Sequence, residues 1–249
     1  MPNPRELATP NTHKVVIDLL MSEKKGKVLE SPAGEGAMSL KLKELGFEVI
    51  AVDIDENSFL PKDEIKFAKV DLNQPLPFQE SSFDSILCVE GLEHLENHFL
   101  VIREFARVIK KDGVLIISTP NTLNVYNRIR FFLFGSREII QDIVDKRKEV
   151  YGEKIKELWH HPNPIDFPYL RNILEKNGFK LEAIDINRNI YNLAPKKLTK
   201  KFFYYILLFI SGVVIKIANK IFSIPPKSVG TTSFPLLWSE ILIIKARKI

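Results

Sequence analysis

Lys27-Val-Leu-Glu-Ser-Pro-Ala-Gly-Glu-Gly-Ala37 is the stretch that decides the fold, and Val49-Ile-Ala-Val-Asp53 completes it. A short apolar run ends in the carboxylate of Glu30, a turn built on Gly34 and Gly36 follows, and a helical pattern opens at Ala37. The second apolar run ends in another carboxylate, Asp53. This is a strand, glycine turn, helix, strand unit. Glycines in such a turn let backbone N–H groups approach a ligand, and an acid at the tip of the second strand can hold two ribose hydroxyls. The unit therefore predicts a site for an adenosine-containing cofactor.

Working outward, residues 10–22 read as an amphipathic helix, with Val15, Val16, Leu19 and Leu20 at helical spacing. Strands are expected at 27–31, 48–53, 65–70, 83–89 and 114–118, with helices at 37–45 and 97–110. Strands alternating with helices at this spacing imply right-handed crossovers and a doubly wound parallel sheet. Beyond Thr119-Pro-Asn121 the rhythm breaks. A helix at 166–177, a strand at 179–187 and a last strand at 239–245 remain, so 121–165 and 188–237 read as insertions. The 249 residues fit one α/β domain, 1–249, better than two.

A hydrophobic fraction of 45% supports a sizeable core, and a formal charge of +5 is too modest to argue for nucleic acid. The one cysteine, Cys88, lies in an apolar run and reads as a buried, inert thiol. A lone cysteine excludes an internal disulfide and suits the cytosol. Met-Pro-Asn-Pro-Arg-Glu at the start lacks the charged-then-apolar pattern of a secretion signal, so a cytoplasmic protein is expected.

With these elements in order, the chain resembles the class I S-adenosylmethionine-dependent methyltransferases over about 14–187 and again at the last strand. In that family the first motif commonly reads acid-x-Gly-x-Gly-x-Gly. Here Glu30-Ser-Pro-Ala-Gly-Glu-Gly36 puts Pro32 where the first glycine stands. The resemblance implies a mostly parallel seven-stranded α/β sheet with an antiparallel C-terminal strand and two inserted helical segments. It implies S-adenosylmethionine as cofactor, its methionine part flanked by Glu30, Ala33, Gly34 and Gly36. The ribose would fall to Asp53 with Ile54 beside it, and the adenine amino group to Asp71 with Leu72. Glu90 would stand at the mouth of the fourth strand. NAD is the rival cofactor, but Gly34-x-Gly36-x-x-Ser39 lacks the third glycine that its fingerprint uses for close helix packing. The Asp71-Leu-Asn-Gln-Pro-Leu-Pro-Phe78 element has no role in that fingerprint either.

Glu90-Gly-Leu-Glu-His94 falls where the fourth strand ends, and Glu90, Glu93 and His94 are spaced to converge on one helical turn. Three readings compete. His94 is a general base, its ordinary pKa near 6.5 being in the useful range; or the two carboxylates and the imidazole hold a divalent metal ion that lowers the pKa of a substrate hydroxyl; or the acids and the imidazole brace a loop. The spacing looks like the Glu-x-x-Glu-His metal motif of small-RNA 2′-O-methyltransferases and the loop of ubiquinone-pathway O-methyltransferases. Those families draw a further ligand from a later histidine, for which His160 and His161 are the candidates.

The insert at 188–237 carries Lys196-Lys-Leu-Thr-Lys-Lys201 followed by Phe202–Ile215, a run without a charge. It is shorter than the roughly 20 residues a span needs. Basic residues beside an apolar run suit a helix lying in the membrane surface, so 196–222 is expected to associate with a membrane. Arg128-Ile-Arg-Phe-Phe-Leu-Phe-Gly135 repeats the theme and reads as a lid helix over the cofactor or as a second lipid contact. Together these features and the resemblance predict a cytoplasmic, peripherally membrane-associated methyltransferase acting on a hydroxyl, ahead of an amine or carboxylate, of a small-molecule, amphipathic, carbohydrate-containing or lipid-linked acceptor, with no nucleic-acid partner. The alternative is a non-catalytic cofactor-binding or membrane-tethering module that keeps the fold.

Overall fold

In a computed structural model, residues 3–135, 163–188, 213 and 234–249 are described. Seven strands form one sheet: β1 (Lys27–Glu30), β2 (Glu48–Asp53), β3 (Lys66–Lys69), β4 (Phe83–Val89), β5 (Ile109–Pro120), β6 (Phe179–Ile186) and β7 (Ile241–Lys248). Their order is β3-β2-β1-β4-β5-β7-β6. All neighbours run parallel except β7, which is antiparallel to both β5 and β6. The sheet is thus the expected doubly wound one, with the antiparallel strand at the C-terminus.

Strand periodicity explains the two cores. Leu29, Ile86, Cys88, Leu115 and Ile117 point to one face, where α3 (His98–Val108) and α5 (Phe167–Lys176) pack with Phe105, Leu170 and Ile173. Val28, Leu87, Val114 and Ile116 point to the other, against α1 (Thr12–Leu20) and α2 (Ala37–Glu44) through Val16, Leu20, Met38 and Leu42. Adjacent residues on one strand serve opposite faces, so each strand reads as a near-continuous apolar run. Fully burying one such side chain stabilises by about 1.5–3 kcal/mol.

Element boundaries follow local chemistry. Asn97 ends the preceding loop and its Oδ1 accepts the N–H of Leu100 at 3.0 Å, which starts α3 at His98 rather than 97. The helix stops at Val108, two residues short of expectation, and β5 begins at Ile109 because that residue pairs with Phe83. The polar Lys110-Lys-Asp-Gly113 stretch hides this early start. The carboxyl ends of β1 and β4 lie side by side with their crossovers leaving in opposite directions, and open α/β sheets bind ligands in the crevice this creates.

Candidate active site at the carboxyl edge of the sheet

The glycine turn after β1 is fixed by its backbone. Ser31 N–H donates to the Leu87 carbonyl and Ala33 N–H to the Val52 carbonyl, both at 2.9 Å, tying the turn to β4 and β2. Gly34 N–H donates to Asp53 Oδ2 at 2.8 Å, and Asp55 N–H to Asp53 Oδ1 at 3.0 Å. The Asp53 carboxylate is therefore held rigidly at the tip of β2, with lone pairs remaining for incoming hydroxyls. Gly36 has φ 91°, and a Cβ there would lie 2.6 Å from Pro61 Cδ and 2.8 Å from Phe59 Cε2, so only glycine fits where α2 begins.

Glu30 is buried and accepts from the Ser39 hydroxyl. Burial pushes its carboxyl up to about 8, with the nearby Asp53 charge adding to the effect, so it is largely neutral at pH 7. Ser39, standing where a dinucleotide fingerprint has its third glycine, instead satisfies this buried acid. Pro32 replaces the family's first glycine, and the loop after β4 compensates. A Cβ on Gly91 would lie 2.3 Å from Pro32 Cδ, so the proline ring fills the space that any side chain at 91 would need.

On the other side of the turn, Ile54 is 57% exposed directly after Asp53, an apolar surface beside a fixed carboxylate. Leu72 is buried, while Asp71 Oδ1 accepts the N–H of Asn73 at 2.9 Å. Asn73 Oδ1 in turn accepts the N–H of Glu96 at 2.8 Å, joining the loop after β3 to the loop after β4.

The loop after β4 corrects the expected convergence of Glu90, Glu93 and His94. Only Leu92–His94 form a short 3-10 turn, and Glu90 precedes it at φ 46° with its N–H bonded to Ser118 Oγ at 2.9 Å. Its carboxylate turns away, accepting from Thr9 N–H at 2.8 Å, Thr9 Oγ1 at 3.0 Å and Thr12 Oγ1 at 3.2 Å. Glu93 is wholly buried, with Oε2 at 3.4 Å from Thr119 Oγ1 and Oε1 without a partner. Burial, then the Glu90 charge, holds its carboxyl well above the usual range. His94 is half-buried, its N–H donating to the Gly91 carbonyl at 3.2 Å. Among the described residues no three His, Cys, Asp or Glu side chains gather closely enough to hold a metal ion, and His160 and His161 lie outside those residues.

Residues 29–117 match a family described as a methyltransferase domain. A probable S-adenosylmethionine-dependent methyltransferase of Mycobacterium tuberculosis is 33% identical over 39% of this chain and 36% of its own. A ubiquinone biosynthesis O-methyltransferase of Rickettsia typhi is 26% identical over 66% of this chain and 72% of its own. Among solved structures, a SAM-dependent methyltransferase from Archaeoglobus fulgidus superposes with a TM-score of 0.58 at 20% identity, covering 95% of each chain, a likeness of fold. Residues 29–117 are thus similar to a methyltransferase domain, and the fold is shared with solved S-adenosylmethionine-dependent methyltransferases. It spans 36% to 66% of the length of the first curated relatives it matches. The site fits that family's cofactor on its own geometry: a rigid carboxylate at Asp53, exposed apolar surface at Ile54, and a turn with no side chain at Gly34 and Gly36.

The feet of both inserts rise from the same edge. Asn121 Nδ2 donates to the Leu236 and Ser239 carbonyls at 2.9 and 3.1 Å, joining the foot of the first insert to the end of the second. Val125 on α4 (Val125–Phe134) and Leu237 on α6 (Phe234–Trp238) are buried together, with Tyr126, Ile129 and Trp238 packed round them. The far end of α4 exposes Phe131, Phe132 and Leu133, Phe132 by 86%. At the close of the first insert Asn163 N–H donates to the Glu93 carbonyl at 3.2 Å, and its Nδ2 to Leu95 at 3.0 Å and Glu96 at 3.1 Å. Segments 136–162 and 189–212, and most of 213–233, lie outside the described residues, and so does nearly all of the apolar-basic run. Among the described residues no helix is long and apolar enough to cross a membrane.

Sequence reading missed several residues of this edge. His98, on the first turn of α3, has its Nε2 2.9 Å from the Leu92 carbonyl and braces the 3-10 turn; burial lowers its pKa, consistent with a neutral ring donating this bond. Arg5, Thr9 and Thr12 were missed because their partners lie far away in the chain. Gly91 carried a usable signal: a glycine directly after a strand-end acid marks a close approach of backbone.

Proposed function

We propose that this protein methylates a hydroxyl group of an amphipathic or lipid-linked acceptor at a membrane surface, using S-adenosylmethionine. One observation carries the methyl-transfer reading: a fixed Asp53 carboxylate and a side-chain-free glycine turn flank the crevice between β1 and β4. When bound, S-adenosylmethionine supplies an electrophilic methyl group on a sulfonium. Asp53 accepts the ribose hydroxyls, Ile54 covers one face of the base, and Asp71 meets the adenine amino group. The turn at Gly34 and Gly36 carries the methionine part. Little else is asked of the protein than alignment and removal of a proton.

His94 takes the proton from the acceptor hydroxyl. It is the titratable side chain of the 3-10 turn that is not enclosed, whereas Glu93 beside it is buried, its carboxyl held well above the usual range. The backbone of the turn that carries His94 is braced by His98 at Leu92 and by Asn163 at Glu93, which fixes the turn at the carboxyl end of β4. The similarity to a ubiquinone biosynthesis O-methyltransferase supports a hydroxyl as nucleophile and an amphipathic acceptor. Support for the membrane comes from the lysines of 196–201 beside the uncharged 202–215, and from the exposed Phe131, Phe132 and Leu133 on the same edge.

The test is methyl transfer from radiolabelled S-adenosylmethionine with and without anionic phospholipid vesicles carrying extracted membrane lipids. The expected result is base-stable label in the organic phase, dependent on the vesicles, and loss of vesicle binding when 198–224 are deleted. Label confined to water-soluble acceptors, or a full-length chain that never sediments with the vesicles, would refute the membrane part. Base-labile label would refute the hydroxyl.

A further inference from the structure

The segment preceding α1 crosses the carboxyl edge at the point where the sheet's winding reverses. Arg5 N–H donates to Glu35 Oε2 at 2.8 Å and Arg5 Nε to Glu35 Oε1 at 3.0 Å, which pins the segment to the turn after β1. Leu7 lies directly on that turn: a Cβ on Gly34 would stand 3.3 Å from Leu7 Cδ1. Two and five residues on, Thr9 and Thr12 give three hydrogen bonds to the Glu90 carboxylate at the end of β4. Asn187, at the end of β6, donates to the Pro10 carbonyl at 3.3 Å. The segment therefore bridges the two strands whose diverging crossovers open the crevice.

We propose that residues 5–12 form the outer wall of the cofactor crevice, with Leu7 packing on the bound cofactor, and that the Arg5–Glu35 pair is a latch released whenever cofactor enters or leaves. The inference rests on the cofactor reading above. Its two anchors are unequal, and that inequality gives the wall a direction of opening. Thr9 and Thr12 are buried at the Glu90 end, where hydrogen bonds to a carboxylate are strong. The Arg5 side chain is 62% exposed against 13% for Glu35, so one end of the pair stands in water, where ion pairs are weakened. The segment thus peels from Arg5 and pivots near Thr9, ahead of the left-handed Asn11 (φ 69°) that turns the chain into α1. Glu90 in this account is a positioning residue that holds the pivot, which is why its carboxylate faces Thr9 and Thr12.

The intact chain tests this by stopped-flow release of S-adenosylmethionine and by trypsin cleavage at the Arg5–Glu6 bond. Arg5→Ala is expected to speed release about three- to tenfold, the scale of one exposed bidentate pair. Glu35→Gln is expected to do the same, and the double variant no more than either single one. Saturating cofactor is expected to slow cleavage after Arg5 in the unaltered chain. Release and cleavage rates that stay unchanged, in a chain that binds S-adenosylmethionine, overturn the wall while leaving the cofactor reading intact. Failure of the unaltered chain to bind S-adenosylmethionine overturns both.

Discussion

The two halves of the carboxyl edge are built in different ways. The cofactor half, the turn after β1 with the tips of β2 and β3, comes from one contiguous unit whose key bonds are backbone to carboxylate, as between Gly34 N–H and Asp53. The half around the loop after β4 is assembled from distant pieces: Thr9, Glu90, Thr119, Asn163 and the Asn121–Ser239 contact. Local backbone geometry fixes the first, and long-range side-chain contacts fix the second. A chain made this way can change its acceptor half through insertions without disturbing the cofactor half.

The sharpest way to separate the halves is His94→Ala. It is expected to lower kcat by about 10²- to 10⁴-fold, the usual worth of a positioned base, while S-adenosylmethionine affinity stays within about threefold. Unchanged turnover would move the proton acceptor elsewhere. Next in size is the buried acid of the cofactor half. Unfolded, Glu30 ionises near pH 4.3; folded, its carboxyl stays protonated up to about 8. The stability it contributes is full below the unfolded pKa and falls as pH rises towards 8. Glu30→Gln should flatten that slope, making the variant gain on the native chain by roughly 3 kcal/mol between pH 5 and pH 8, at about 1.4 kcal/mol per pKa unit. Thermal unfolding across that range reads the effect directly.

The seam between the halves is Pro32 against Gly91. Gly91→Ala is expected to destabilise by about 2 kcal/mol through overpacking. Adding Pro32→Gly should restore most of it, since the clash is with the ring. Urea denaturation of the two single variants and the double one gives the coupling, and additive losses would show that the ring and the glycine are not matched.

Much of the first half was legible in the sequence because periodicity and a glycine turn report local structure. β2 and β4 have the expected bounds, and α2 ends one residue early, at Glu44. The second half was legible only as a list of residues. Helical spacing suggested that Glu90, Glu93 and His94 share a helical face, yet a positive φ at Glu90 takes it out of the turn. Nothing in a spacing rule predicts that its partner lies 81 residues earlier. Arg5 and Glu35, 30 residues apart, were silent for the same reason. Burial of Glu93 was equally hidden, since its cover comes from Thr119, 26 residues later, and not from its sequence neighbours.

The central claim is that the crevice between β1 and β4 holds S-adenosylmethionine through Asp53, and calorimetric titration of the intact chain tests it most directly. The account predicts one site for S-adenosylmethionine, no heat with NADH, and about 10- to 100-fold weaker binding in Asp53→Ala from lost bonds to a charged acceptor. Binding of NADH instead, or S-adenosylmethionine affinity unchanged by Asp53→Ala, would contradict it.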